Sequence, residues 1–473
     1  MARSCSCNDF NRAALLRRGA AVAGKGLPKI EPGMPMPAGT GLDRRTFLLA
    51  SAGAALSVYG ASMLSPRHFE AGIAEAAASG SNQPVLVSIF MEGGWDALSV
   101  LAPAGAVGEE GKTYETLRPK LSLEAKEALE KGTGKTFTED PRLMWHPSAT
   151  GLAELHEEGK VTAFPAIGYE PQDESHFTSR HYWEVGQLDT NTRTGWLGRF
   201  LDLPGVGEPN NPLQGLSLDY SLAPALATET MPVAAVSSPA DYTMWAEGLG
   251  SPVIEPALET FGALGALGAP SPAYAQARGA SYDTDLVLDK MASFVKSEKE
   301  SGDKSAVTYP AGEFAQRLAV LAAMLHTEMP IKCASLNAVG SYDTHSNEAG
   351  TLAANLAQTV AAVLAFQRDL EARGLDQRVL IQLWSEFGRR PRENGSGTDH
   401  GAGGNAFLIG TRASGKMVGE FSGLTNLDEN ENIVRTSDFR AMYCSLLEQW
   451  FHTEAGLVIP EAASFERPTL IKA

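Results

Sequence analysis

Apolar residues along the chain gather into short β-prone runs at Pro84–Met91, Val161–Ile167, Pro232–Val236, Ile331–Val339, Val379–Trp384 and Ala406–Ile409. Apolar runs of this length read as buried strands, and a Gly93-Gly94 turn ends the first of them at once. Between the runs, the pattern predicts helices over Phe177–Gln187, Trp196–Leu203, Asp285–Val295, Gly312–His326, Ala349–Glu371 and Asp438–Trp450. Strands and helices alternating at these lengths imply an α/β fold: a doubly wound, mostly parallel central sheet with helices on both faces. Gly262–Ala280 departs from the pattern, repeating Gly-Ala-Leu-Gly with added Pro and Ser, and reads as a flexible insertion. Sheet signals lie on both sides of it, so residues 79–473 are expected to form a single domain.

The amino-terminal segment has a different character. Arg44-Arg45-Thr46-Phe47-Leu48-Leu49 opens a moderately apolar stretch, rich in Ala and Gly, that runs to Met63. A basic region, a short apolar segment and then small residues is the layout of a secretory signal, and the paired arginines resemble the twin-arginine motif. Residues 1–78 are therefore expected to be an export signal with a disordered leader, cleaved somewhere near Ala74–Ser79. The mature protein is expected to be periplasmic or secreted, with the twin-arginine translocase as its partner in transit. No later stretch reads as a membrane span.

The chain has 473 residues, 43% of them apolar, as suits a globular protein. Without residues 1–78, 30 basic and 51 acidic residues remain, a net charge of −21. Such a surface repels nucleic acid and anionic lipid. Cys333 and Cys444 are left in the mature chain. Both lie in apolar runs and are expected to be buried free thiols.

Candidate chemistry falls just beyond the predicted strands, where open α/β sheets present their ligands. Glu92-Gly93-Gly94-Trp95-Asp96 follows the first strand, and Asp96 either points over the sheet edge or caps a helix. In Ser341-Tyr342-Asp343-Thr344-His345, Asp343 and His345 project to one side of an extended segment. They either share an ion, or Asp343 orients His345, or both cap the next helix. An imidazole with a carboxylate suits zinc or manganese. Trp384-Ser385-Glu386-Phe387-Gly388-Arg389-Arg390 offers a carboxylate for a metal and arginines for an anion, or only a Glu386–Arg389 ion pair. His400 sits between glycines in Gly397-Thr398-Asp399-His400-Gly401. Ser175, near the predicted start of a helix, is either its cap or a nucleophile.

Taken together, Gly93–Asp96, Ser175–Glu184, Gly195–Arg199, Asp343–His345, Trp384–Arg389, Thr398–Gly401 and Asp438–Arg440 resemble the domain of unknown function 1501 family of exported proteins. The resemblance runs from about residue 84 to the end. That family is similar to the alkaline phosphatase and sulfatase superfamily, with a doubly wound α/β domain and two adjacent divalent metal sites. The resemblance implies Ser175 as nucleophile, with Asp343, His345 and His400 on one metal and Glu386 and Asp96 on the other. It implies Arg389 for the anionic group of the substrate. Two departures stand out. The superfamily has Asp-His where this chain has Glu386-Phe387, so an imidazole is lost unless His176 or His181 replaces it. Asp343 and His345 are also closer together than the phosphatase spacing. The expected function is a metal-dependent hydrolase of small phosphate or sulfate esters. The alternatives are a non-catalytic envelope protein that binds a glycan or partner protein, and a carboxylate-based sugar hydrolase.

Overall fold

Val85, Val87 and Ile89 belong to one hydrophobic cluster, and Leu86 and Phe90 to another. Alternate residues of a strand face opposite sides of a sheet, so this division means that both faces of the strand are covered. The computed structural model describes Val58–Tyr59, residues 83–103, 109–209 and 211–240, separate helical positions between 260 and 296, residue 305, and residues 307–472. Arg44 and Arg45, the cleavage region and nearly all of Gly262–Ala280 lie outside the described residues.

The strands of the main sheet are β1 (Val58–Tyr59), β2 (Val85–Phe90), β3 (Val161–Gly168), β4 (Gly215–Ser217), β5 (Val233–Ala235), β6 (Cys333–Asn337) and β7 (Val379–Trp384). After a two-stranded hairpin, β8 (Gly388–Glu393) and β9 (Thr398–Gly401), the sheet is completed by β10 (Gly404–Ile409) and β11 (Ser437–Asp438). The order is β1-β5-β4-β6-β2-β7-β10-β3-β11. Only β1 and β10 run against the rest. The architecture is the mostly parallel α/β sheet expected. The central pairs are in continuous register, Val85 to Phe90 against Val379 to Trp384 and Leu86 to Phe90 against Cys333 to Asn337.

On one face, helices α2 (Glu313–His326) and α3 (Glu348–Ala372) bury Leu318, Leu321, Leu356, Val360 and Phe366 against Val87 and Ile381. On the other face, α1 (His176–Val185) and α4 (Phe439–Gln449) bring Trp183, Phe439 and Tyr443 onto Phe90 and Trp384. Each such side chain, fully buried, contributes about 1.5–3 kcal/mol. By length and composition α3 would pass for a membrane span, yet it is a core helix that also buries Gln367 and Asp369. Cys333 and Cys444 are buried free thiols, and burial pushes that of Cys444 up to about 11.

The parallel strands β2, β6 and β7 end side by side, which brings three loops together. Tyr342 N–H donates to Glu92 O at 2.7 Å, tying the loop after β6 to the loop after β2. Gly93 and Gly94 both have positive φ. A Cβ on Gly93 would lie 2.3 Å from Asp343 N, and one on Gly94 2.1 Å from the Phe387 ring. No side chain fits at either place, and few residues adopt that backbone shape. The glycines therefore allow the contact that seats Asp343.

Candidate metal centre

Asp343 is the hub of the site. His176 Nε2 is 3.4 Å from its Oδ2, and His345 Nε2 and His400 Nε2 are 3.1 and 3.3 Å from its Oδ1. The two latter nitrogens are 3.0 Å apart. His176 is the first residue of α1, Asp343 and His345 lie in the loop after β6, and His400 lies in β9. Ligand atoms of His176, Asp343 and His400 all fall within 4.8 Å of one another.

The other nitrogen of each ring is already engaged. His176 Nδ1 meets Glu386 Oε1 at 2.8 Å, His400 Nδ1 meets Glu174 O at 2.8 Å, and His345 Nδ1 meets Asp399 Oδ1 at 3.3 Å. Those oxygens only accept, so each Nδ1 carries the proton and donates. In a neutral ring the Nε2 lone pair is then free. Three lone pairs and a carboxylate that converge in this way repel one another unless a cation, a proton or a metal ion, lies between them. His176 Nε2 is buried without a hydrogen-bond partner. Donors bound at ~2.0–2.1 Å to a tetrahedral ion are separated by roughly 3.3 Å, close to the spacings here. The donor set therefore fits a divalent ion.

The electrostatics agree. Burial opposes the charge on Asp343, but the surrounding His176, His345, His400 and Arg389 hold it well below the usual carboxylate range. Burial likewise opposes charge on Glu386, and His176 with the Gly94 amide outweighs it and lowers that carboxyl. With no metal ion between the donors, burial disfavours the His176 imidazolium, but Asp343 and Glu386 raise it to about 9. Proton and metal ion thus compete for the same lone pair.

The residues expected at the site divide into those that assemble and those that do not. Asp343, His345 and His400 come together. His176 joins them, while His181 faces away, its Nε2 3.0 Å from Asp189 O. Glu386 lies beside the cluster, its Oε1 2.8 Å from His176 Nδ1. Its oxygens already accept from Gly93 N, Gly94 N, Ser385 Oγ and His176 Nδ1. Asp96 is not free either: it is fully buried in a bidentate pair with Arg118, the Nη2–Oδ1 distance being 2.8 Å. Both carboxylates assigned to a second ion are therefore engaged by protein donors, Asp96 by a buried guanidinium and Glu386 by amides, a hydroxyl and an imidazole.

Arg389 presents no surface to solvent. It is fully buried and donates to Gly94 O, Gly93 O, Thr398 O and Asp343 Oδ1, so it fastens the loops around Asp343. The simple Glu386–Arg389 pair across a turn does not form either. Ser175 is the N-cap residue of α1, but its hydroxyl makes no capping bond, and Asp173 Oδ1 accepts from its amide at 2.7 Å instead. Asp399 and Arg118 went unrecognised. Asp399 adjoins His400, and its exposed position gave no signal of a ring-orienting role. Arg118 lies in a polar stretch with no local pattern.

Residues 174–452 match the model of a family described as Protein of unknown function (DUF1501). No curated protein matches the sequence significantly. Among solved structures, the PsFucS1 sulfatase from Pseudoalteromonas sp. is similar at 11% identity and TM-score 0.31, over 85% of this chain and 77% of that one. The protein Ps i-CgsB, in complex with k-i-k-neocarrahexaose, is similar at 10% identity and TM-score 0.32, over 80% and 73%. Both scores are low, and the chemistry rests on the site's own residues. The family match takes in His176, Asp343, His345, Glu386 and His400 and more than half of the chain, which places the protein in the DUF1501 family.

Proposed function

We propose that this protein is an exported hydrolase of phosphate or sulfate esters that holds a single divalent ion between His176, Asp343 and His400, with His345 as a further donor. The observation that supports it most is that each Nδ1 is taken by an oxygen while each Nε2 turns to Asp343. An ion held there supplies Lewis-acid polarisation of an ester oxygen, and zinc and manganese both suit the donors.

The remaining work falls to the chain's own groups. Ser175 Oγ, left unused by the cap, sits next to His176 at the positive end of α1, where the helix favours an anionic group. It is the proposed nucleophile: its bond to phosphorus or sulfur forms as the bond to the alcohol oxygen breaks, its proton leaves on the alcohol, and water then adds to release the acid and restore the serine hydroxyl. Glu386 and Asp399 fix the rings of His176 and His345, which keeps their lone pairs directed inward.

Turnover of p-nitrophenyl phosphate and p-nitrophenyl sulfate by the full chain, with and without added zinc or manganese, tests this. Metal-dependent release of nitrophenol, lost in Ser175→Ala, is expected. Equal turnover in Ser175→Ala and wild type rules out the serine mechanism. The engagement of Asp96 and Glu386 favours a second reading, a non-catalytic envelope protein that binds a glycan or a partner protein. It predicts no turnover of either ester under any metal. Export by the twin-arginine translocase to the periplasm is part of the proposal and rests on Arg44-Arg45-Thr46-Phe47-Leu48-Leu49. Replacing both arginines by lysine is expected to leave the protein in the cytoplasm.

A further inference from the structure

Beside the metal centre lies a second polar cluster that takes no part in the chemistry above. Asp96, Arg118 and Glu348 are all fully buried and come from distant parts of the chain. Beyond its pair with Asp96, Arg118 donates to Ser99 Oγ at 3.2 Å, to Pro391 O at 2.7 Å and to Arg390 O at 2.9 Å. The two carbonyls belong to β8, the first strand of the hairpin that carries His400. Glu348, in the first turn of α3, lies three residues after His345. Its Oε2 accepts from Thr398 Oγ1 at 2.5 Å, and its amide donates to Ser396 O at 2.8 Å. Thr398 N–H in turn donates to Thr344 O at 3.1 Å, and Thr398 O accepts from Arg389.

Arg118 ties the hairpin to Asp96 and Ser99, and the bonds of Glu348 and Thr398 connect two segments directly. One holds Asp343 and His345 and continues into α3; the other is the β8–β9 hairpin with Asp399 and His400. Glu348, Thr398 and Arg118 are fully buried, where water cannot replace a lost partner. We propose that the Asp96–Arg118–Glu348 triad is a positioning device that fixes the spacing between these two segments and thereby sets the affinity of the histidine cluster for a divalent ion. This rests on the metal-centre reading given above. The charge balance is consistent with it. Burial and the neighbouring Asp96 raise the Glu348 carboxyl to about 8, so it is protonated at neutral pH. A protonated Glu348 donates to the Asp96 carboxylate, and the triad then holds one anion, one cation and one neutral acid. Arg118 and Asp96 are matched, and no net charge is left buried.

Glutamine at 348 keeps a neutral group with one donor and one acceptor, whereas leucine removes both. Calorimetric titration of the full-length protein with zinc chloride, alongside thermal melting by circular dichroism, separates the cases. Glu348→Gln is expected to bind zinc as wild type does. Glu348→Leu, and to a smaller extent Thr398→Val, which deletes only the Thr398 hydroxyl bond, are expected to weaken zinc binding, the former by about 10-fold or more. A role in stability alone would lower the melting temperature and leave zinc affinity untouched. Folded Glu348→Leu or Thr398→Val with wild-type affinity overturns the proposal, as does Glu348→Gln binding as weakly as Glu348→Leu. If Glu348→Leu does not fold, Thr398→Val decides. Wild type that takes up no zinc overturns the metal-centre reading itself, and this inference with it.

Discussion

Asp96 and Asp343 follow neighbouring parallel strands, β2 and β6, at the same edge of the sheet, and both draw nitrogen donors toward them. Asp96 meets Arg118, a guanidinium that does not give up its proton, and the pair is closed to solvent. Asp343 meets three imidazoles, side chains that can give up a proton where a guanidinium cannot, and its own side chain is 25% exposed. One aspartate has become part of the scaffold and the other remains available to a ligand. The difference lies in the partner's capacity to lose a proton, and the carboxylates themselves are alike.

The largest effect that tests this contrast is at Arg118. Arg118→Met leaves the Asp96 charge buried without its partner and is expected to lower stability by about 3–5 kcal/mol, read from urea unfolding. An equally stable variant would mean that Asp96 is not the structural member of the two. Next is Glu386, the acceptor for His176 Nδ1. Glu386→Gln should weaken zinc binding by about 10–100-fold while the protein still melts cooperatively. If Glu386 were a ligand of a second ion, one of two bound ions would be lost instead, so stoichiometry distinguishes the cases.

The smallest effect is a pH dependence. The folded state raises the Glu348 carboxyl to about 8, from its ordinary value of 4.5. Above pH 4.5 the unfolded chain releases this proton while the folded chain keeps it. The contribution to stability is complete below about 4.5 and is lost as pH rises through about 8. Between pH 6 and pH 8 wild type should lose on the order of 1–2 kcal/mol from this group, while Glu348→Gln should show a flatter profile. Urea midpoints at the two pH values supply the comparison, and parallel profiles would place the buried proton elsewhere.

Much of the fold was legible in the sequence because its strands are apolar on both faces. Val379–Trp384 was bounded to the residue, and Pro84–Met91 differed from the observed strand by one residue at each end. The hairpin Gly388–Glu393 with Thr398–Gly401 was not legible. Its Arg389-Arg390-Pro391-Arg392 stretch has no strand-like alternation, and it folds against Asp343, Glu348 and Arg118 through contacts distant in sequence. Of the site, Asp343, His345 and His400 were readable from their places after strands. Whether Glu386 binds a metal or orients a ring was not, because that depends on the direction of its oxygens and on the glycine amides that fill them. Nor does anything near Asp96 announce Arg118, 22 residues away across a helix.

The central claim is that one site, built on Asp343, holds one divalent ion. Elemental analysis of the purified full-length protein after exposure to zinc and removal of loosely bound metal tests it most directly. The account predicts about one zinc per chain in wild type and none in Asp343→Ala. Wild type that retains no zinc, or an Asp343→Ala variant loaded to the same extent, would contradict it.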